Sequence, residues 1–143
     1  MRVARFSLLL TAGLLLARPG AAQQVVGAVA LDSFRLANGL QVIYAEEHAT
    51  PVVTVDLWYR VGARNERPKL SGFAHLFEHM MFQGSAHVGK AEHFKYVERA
   101  GGDENGSTHD DYTNYYETLP SNRLNLALWL EADRMRSLAV TQQ

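Results

Sequence analysis

The chain has 143 residues, a formal net charge of −1 and 47% hydrophobic residues, which is enough apolar material for one small core. It contains no cysteine, and this excludes a disulfide framework and any thiolate metal ligand. Its lysines and arginines form no basic stripe among aromatic residues, so the sequence argues against a nucleic-acid-binding surface.

Residues 1–22 have the features of a signal peptide. Two arginines precede a mainly apolar run from Phe6 to Leu16, and Gly20-Ala21-Ala22 supplies small residues at the expected cleavage site. The run is shorter than the roughly 20 residues that span a bilayer, so a retained anchor is the weaker alternative. We expect an exported protein, periplasmic or secreted, with no stable membrane anchor. Cleavage would remove three arginines and no acidic residue, so residues 23–143 would carry a formal charge of −4.

The segments that follow predict strands and a loop. Phe34 to Tyr44 predicts two short strands around a turn at Asn38-Gly39, because Asn-Gly is the strongest short-range hairpin signal. Apolar and polar side chains alternate from Pro51 to Val61, as expected of a half-buried strand. The segment from Gly62 to Leu70 is rich in charges, glycine and proline and predicts a loop.

Residues 72–81 predict a helix that begins after Ser71 as its N-cap and contains the pattern His-x-x-Glu-His. Side chains three and four positions apart share one face of a helix, so His75, Glu78 and His79 should point the same way. Two neutral imidazoles can hold a zinc ion, and a carboxylate beside them can accept a proton from metal-bound water. The pattern therefore predicts His75 and His79 as metal ligands and Glu78 as a general base. It does not decide between zinc and manganese.

Apolar side chains surround this polar triplet in the sequence and predict a buried helix with a dry metal site. The alternative is an amphipathic helix that carries two surface histidines by chance. The apolar residues are Phe73, Leu76, Phe77, Met80 and Met81.

A second helix is predicted from Lys90 to Ala100, ended by Gly101-Gly102. Two segments rich in threonine and tyrosine, Asp103–Thr108 and Thr113–Leu119, predict strands that end before Pro120.

A long last helix should begin at a cap formed by Ser121 or Asn122 and run to about Leu138. The element order gives an α+β fold with a mostly antiparallel sheet and packed helices. The buried stripe of the last helix is predicted to consist of Leu124, Leu128, Met135 and Leu138.

Three segments of the chain resemble the pitrilysin family, which includes insulin-degrading enzyme and the mitochondrial processing peptidase. Residues 72–82 resemble its metal-binding helix. Residues 101–108, with the Tyr-Tyr continuation at 112–116, resemble its Gly-Gly-x-x-Asn-(Ala/Gly)-x-Thr strand, and residues 34–40 resemble its opening hairpin. The similarity extends over nearly all of residues 31–140.

The resemblance implies a zinc endopeptidase that hydrolyses extended peptides. It implies that His75 and His79 bind one zinc ion and that Glu78 is the general base toward metal-bound water. It also implies that Asn105 and Thr108 lie on an edge strand that pairs with a peptide substrate by β-augmentation. A plain turn residue after two glycines is the alternative for Asn105.

The resemblance further implies that parts of the family's site are absent from this chain. The family's third zinc ligand is a glutamate on a later helix, downstream of Gln143, and Glu131 is instead expected to be solvated or paired with Arg134. Residues 23–143 would then form the N-terminal part of one zinc peptidase domain, either as a truncated fragment of a longer peptidase or as a short gene product with an incomplete site. Such a chain should be inactive or nearly so alone, and a second homologous half or partner subunit would complete it.

Four further histidines have more ordinary interpretations. His48 and His87 are expected in surface loops, and His93 at a solvated position on the second helix. His109, beside two aspartates, could contact an accessory metal or a substrate.

Two other functions compete with the peptidase. The S-ribosylhomocysteine lyases also use His-x-x-Glu-His, but they need a cysteine near the metal and work in the cytoplasm. A non-catalytic binding or scaffolding half that pairs with a catalytic partner is the second alternative. The intact histidine–glutamate–histidine triplet argues against it.

Overall fold

The computed structural model describes residues 30–140, which form two compact units that divide after Glu46. The predicted signal peptide and its cleavage site lie outside the described residues. Among the helices of residues 30–140, none has the length and apolar character needed to cross a membrane.

The first unit contains a β-hairpin, as the sequence predicts. Strands β1 (Leu31–Arg35) and β2 (Gln41–Ala45) are antiparallel, with Phe34 opposite Val42. Gly39 adopts a φ of 91°, a conformation that glycine reaches without strain, and this accounts for the Asn-Gly turn.

The second unit is built on a three-stranded antiparallel sheet with strand order β3-β5-β4, so that β4 lies at an edge. The α+β class and the antiparallel sheet are confirmed. The remaining elements are β3 (Val52–Tyr59), α1 (Phe73–Met80), α2 (Glu92–Arg99), β4 (Asp103–Thr108), β5 (Thr113–Pro120) and α3 (Leu124–Ser137), with short 3₁₀ turns at Ala63–Asn65 and Ser121–Arg123.

The alternation predicted for β3 is confirmed, since every second side chain of this strand is half-buried. The core of the second unit joins the sheet to helices α2 and α3 and to the loop before α2. It consists of Val88, Val97, Leu119, Ala127 and Leu130.

The predicted buried stripe of α3 is wrong. Leu124, Leu128 and Met135 are exposed and Leu138 is half-buried, whereas the buried residues of the helix are Ala127, Leu130, Glu131, Asp133 and Arg134. Three of these buried residues are charged, and Glu131 and Arg134 pair with each other, so a count of apolar residues selects the wrong face. The predicted caps Ser121 and Asn122 lie in the 3₁₀ turn, and Arg123 precedes the helix without a side-chain cap.

The start of α1 also differs from the prediction. Gly72, with a φ of 88°, takes the N-cap position instead of Ser71, and its own side chain can offer no cap. The carboxylate of Glu66 accepts hydrogen bonds from the backbone N–H groups of Gly72 (2.9 Å) and Ala74 (2.8 Å). A negative charge at a helix N-terminus is favourable, so Glu66 stabilises the helix that carries the metal-binding pattern.

Two leucines on α3 distinguish the observed buried face from the predicted one. Leu130 is fully buried and Leu128 is 51% exposed. We expect Leu130→Ala to lower the free energy of unfolding by about 2–5 kcal/mol through lost burial and a cavity. Leu128→Ala should change it by no more than about 0.5 kcal/mol. Urea unfolding of both variants measures this difference, and equal losses would contradict the helix orientation.

Candidate metal centre

Helix α1 places His75 and His79 one turn apart on the same face. Their Nε2 atoms lie 3.1 Å from each other, and their ring centroids are 4.7 Å apart. Zinc–imidazole bonds are about 2.0–2.1 Å long, so two nitrogens at this separation can reach the same ion. Both side chains are exposed, and the pair is therefore open to an incoming ion and to solvent.

Glu78 is the buried member of the triplet, with 9% of its surface exposed. Its Oε2 atom accepts a hydrogen bond of 2.5 Å from the Thr108 hydroxyl on β4. The Thr113 hydroxyl, on the neighbouring strand, donates to the carbonyl oxygen of Val61 at 2.9 Å. The carboxylate is thus fixed by the sheet beside the histidine pair.

The described residues offer two ligands at this site. Between residues 30 and 140, no third imidazole or carboxylate, Glu78 included, comes close enough to both histidines to form a three-ligand group. This geometry suits a Glu78 carboxylate that acts on a neighbouring water rather than one that binds the metal.

A cleft of about 480 Å³ lies between the first turn of α1 and strand β4. His75, Glu78, Gly106 and Thr108 are among the residues that line it. A side chain at position 106 would press on the Tyr115 ring, because a Cβ added to Gly106 would lie 3.0 Å from it. The imidazole, the carboxylate and the backbone of an edge strand therefore meet at one open space.

The two residues predicted to bind substrate have different surroundings on β4. Thr108 lies in the cleft, with its hydroxyl bonded to Glu78. Asn105 is exposed, pairs with Tyr116 in the strand register, and its side-chain oxygen accepts the N–H of Gly106 at 2.8 Å. The side chains of the two residues point to opposite faces of the sheet, since three positions separate them. Their roles toward a substrate stay predictions.

The predicted apolar surroundings of a buried metal helix are wrong for the described chain. Phe73, Leu76 and Phe77 are all exposed, and Glu78 is the buried residue of α1. Phe73 and Phe77 instead line an apolar cavity of about 590 Å³ next to α1. One side of α1 packs against the sheet. The apolar side of α1 faces the cavity, and no other described residue covers it.

The other histidines divide into exposed and buried ones. His48 and His87 are exposed as predicted, and the His87 ring contacts Asp133 at 2.6 Å. The Ser85 hydroxyl and His87 together lower the pKa of Asp133 to about 2.

His109 stacks on the Tyr112 ring at 4.4 Å. The solvated position predicted for His93 is wrong: its ring is buried, and its Nδ1 lies 2.5 Å from Glu104 Oε2.

Glu131 is paired with Arg134, in agreement with one of its two predicted states, but it is buried rather than solvated. The Arg134 Nε atom donates to Glu131 Oε2 at 3.0 Å, and a second guanidinium nitrogen donates to Oε1. Neither this burial nor the helix-capping role of Glu66 could be predicted from the sequence, because both depend on contacts that form only in the folded chain.

An antiparallel α+β unit with a reversed His-x-x-Glu-His helix beside an edge strand defines a class of metallopeptidase. A family model described as insulinase, peptidase family M16, matches residues 41–143. The chain belongs to this family, and the resemblance drawn from its motifs is confirmed.

Several relatives of the chain are named zinc proteases. Zinc protease PqqE of Helicobacter pylori is 41% identical over 108 residues, which cover 75% of this chain and 24% of that protein. Insulin-degrading enzyme of Bos taurus is 30% identical over 94 residues, which cover 65% of this chain and 9% of the enzyme. The chain thus spans about a quarter or less of the length of these relatives.

Solved structures show the same fold. A protease from Helicobacter pylori superposes with a TM-score of 0.76 at 38% identity, covering 80% of this chain and 27% of that one. Pitrilysin superposes with a TM-score of 0.74 at 24% identity, covering 81% of this chain and 12% of that one. The pitrilysin-type fold is confirmed.

The bond between Thr108 and Glu78 can be tested by two substitutions at one position. Thr108→Ala leaves a buried carboxylate without its donor and should lower the free energy of unfolding by about 1.5–3 kcal/mol. Thr108→Ser keeps the hydroxyl and should lower it by less than about 1 kcal/mol. Urea unfolding at neutral pH measures both values. Equal values for the alanine and serine variants would show that the hydroxyl does not hold Glu78.

Proposed function

We propose that this chain carries the metal-binding and water-activating residues of a zinc-dependent endopeptidase. The observation that supports this best is the convergence of the two Nε2 atoms, 3.1 Å apart, beside a carboxylate that the sheet holds in place. His75 and His79 would be ligands of one zinc ion. When bound, zinc supplies Lewis acidity toward the scissile carbonyl and lowers the pKa of water.

In this proposal Glu78 is the general base. The Thr108 hydroxyl occupies Oε2, so Oε1 is the atom that accepts the proton of the attacking water. Because the carboxylate is fixed before a substrate arrives, no rearrangement of Glu78 is needed during proton transfer.

The substrate is proposed to be an extended peptide that lies along β4. Among the described strands β4 pairs with β5 alone, and its residues 106–108 line the cleft that contains His75 and Glu78. An extended chain can add to such an edge through backbone hydrogen bonds, which make affinity largely independent of sequence. Thr108 and Asn105, which lies three positions earlier on the same strand, are the residues that we assign to this contact.

The proposed catalytic site needs a third protein ligand from outside the described residues. Catalytic zinc usually has three protein ligands and one water, and residues 30–140 bring two together. We propose that a glutamate on a later helix supplies the third, and that a second homologous half or partner subunit covers the substrate. The 143-residue chain alone should then be inactive or nearly so. From the pattern of residues 1–22 we also propose export to the periplasm or beyond.

Zinc titration of matched variants tests the ligand assignment. His79→Ala should weaken the binding of one equivalent of zinc at least about tenfold, because one of two imidazoles is lost. Glu78→Gln should leave the affinity within a few-fold of wild type, and His48→Ala, an exposed histidine outside the site, should leave it unchanged. Isothermal titration calorimetry on the 143-residue chain measures these affinities. An unchanged affinity in His79→Ala would instead favour a non-catalytic half.

The activity of the chain by itself is a separate expectation. We expect no cleavage of a quenched fluorescent peptide above the rate of a Glu78→Gln control, because a two-ligand site binds and activates zinc poorly. Peptide cleavage by the wild-type chain that a chelator stops and Glu78→Gln lacks would contradict the need for a third ligand.

A further inference from the structure

A second cluster of metal-ligand residue types lies inside the second unit, away from His75 and His79. It consists of His93 on α2, Glu104 on β4 and Glu117 on β5, and all three are buried. One ligand atom from each residue lies within 4.8 Å of those from the other two. Glu104 and Glu117 are direct partners in the antiparallel register, so two carboxylates face each other across the strands.

The cluster is separate from the histidine pair. Glu104 and Thr108 lie on the same face of β4, but they are four positions apart, which corresponds to about 13 Å along a strand. Thr108 contacts Glu78, whereas Glu104 contacts His93.

Several polar atoms of the cluster have no hydrogen-bond partner within the described residues. Both carboxylate oxygens of Glu117, which is 1% exposed, are unpartnered, as are Oε1 of Glu104 and Nε2 of His93. Buried polar atoms nearly always have a partner, and an orphaned carboxylate points to a missing ion, water or proton. Here the unpartnered atoms belong to three residues whose ligand atoms lie within 4.8 Å of one another.

The charges around the cluster do not balance with the described residues alone. Arg134 is the buried cation nearby; it is paired with Glu131 and lies over the Tyr115 ring at 4.4 Å. Its charge also acts to lower the pKa of Glu117, so that Arg134 and His93 together face the three buried carboxylates of Glu131, Glu104 and Glu117. Burial, together with the charges of Glu131 and Glu104, raises the pKa of Glu117 to about 8, as expected where negative charge is poorly compensated.

We propose that His93, Glu104 and Glu117 bind a second divalent cation, one that accepts mixed nitrogen and oxygen ligands, such as Zn²⁺ or Mn²⁺. One imidazole and two carboxylates, without a thiolate, suit ions of this kind. A charge of +2 neutralises the two facing carboxylates and gives the orphaned atoms a common partner. The ion would link α2, β4 and β5, and its role would be structural, because the site is closed to solvent.

The test uses the 143-residue chain with the first site removed. In the His75→Ala/His79→Ala variant we expect one equivalent of zinc to remain after dialysis, measured by metal analysis and by calorimetric titration. Adding Glu117→Gln, which has the same size but lacks the charge, should abolish this equivalent or weaken it at least about tenfold. Adding Glu98→Gln instead, an exposed glutamate on the helix of His93, should leave it unchanged.

A second measurement guards against loss of folding. Circular dichroism should show the same helix content in all variants, and excess zinc should raise the Tm of His75→Ala/His79→Ala but not that of the variant that also carries Glu117→Gln. A folded His75→Ala/His79→Ala variant that binds no zinc and shows no Tm shift would overturn the proposal. Protons, rather than a metal ion, would then neutralise the carboxylates of the cluster. Zinc retained equally after Glu117→Gln would overturn it as well.

Discussion

The hydrogen bond between Thr108 and Glu78 connects the helix of the metal-binding pattern to the edge of the sheet. It links two requirements of the proposed chemistry. The general base must stay beside the histidine pair, and the strand that would receive the peptide must stay beside the base. Since one hydroxyl of β4 holds the carboxylate of α1, the position of the edge strand and the position of the base cannot vary independently.

The local structure of α1 supports the same arrangement. The left-handed conformation of Gly72 turns the chain sharply into the helix, and the Glu66 carboxylate compensates the first backbone N–H groups. His75 and His79 then follow at positions that share a face. The helix is fixed at its start by a charged cap and in its last turn by Thr108, while Phe73, Leu76 and Phe77 remain exposed in the described part of the chain.

Features that depend on neighbouring positions could be predicted from the sequence. The Asn-Gly turn follows from the left-handed conformation that glycine adopts without strain, whereas the alternation of β3 and the spacing of His75, Glu78 and His79 follow from the periods of a strand and a helix. The structure has all three. Features that depend on distant partners could not be predicted. From the sequence, His93 is expected to be solvated, but in the folded chain it is buried against Glu104. Glu131 is likewise expected near the surface, but it is buried and paired with Arg134. The orientation of α3 could not be predicted for the same reason. Its buried face carries charged residues, and a search for apolar residues at helical spacing does not identify charged residues as buried.

We propose that His75 and His79 hold one zinc ion while Glu78 stays outside its coordination sphere. Crystals of the protein grown with zinc, with diffraction recorded at the zinc absorption edge, would locate the ion. We expect an anomalous peak about 2.0–2.1 Å from Nε2 of both histidines, with the Glu78 carboxylate hydrogen-bonded to Thr108 and not ligating the ion. A structure with no ion at this helix, or with the two imidazoles turned apart, would contradict it.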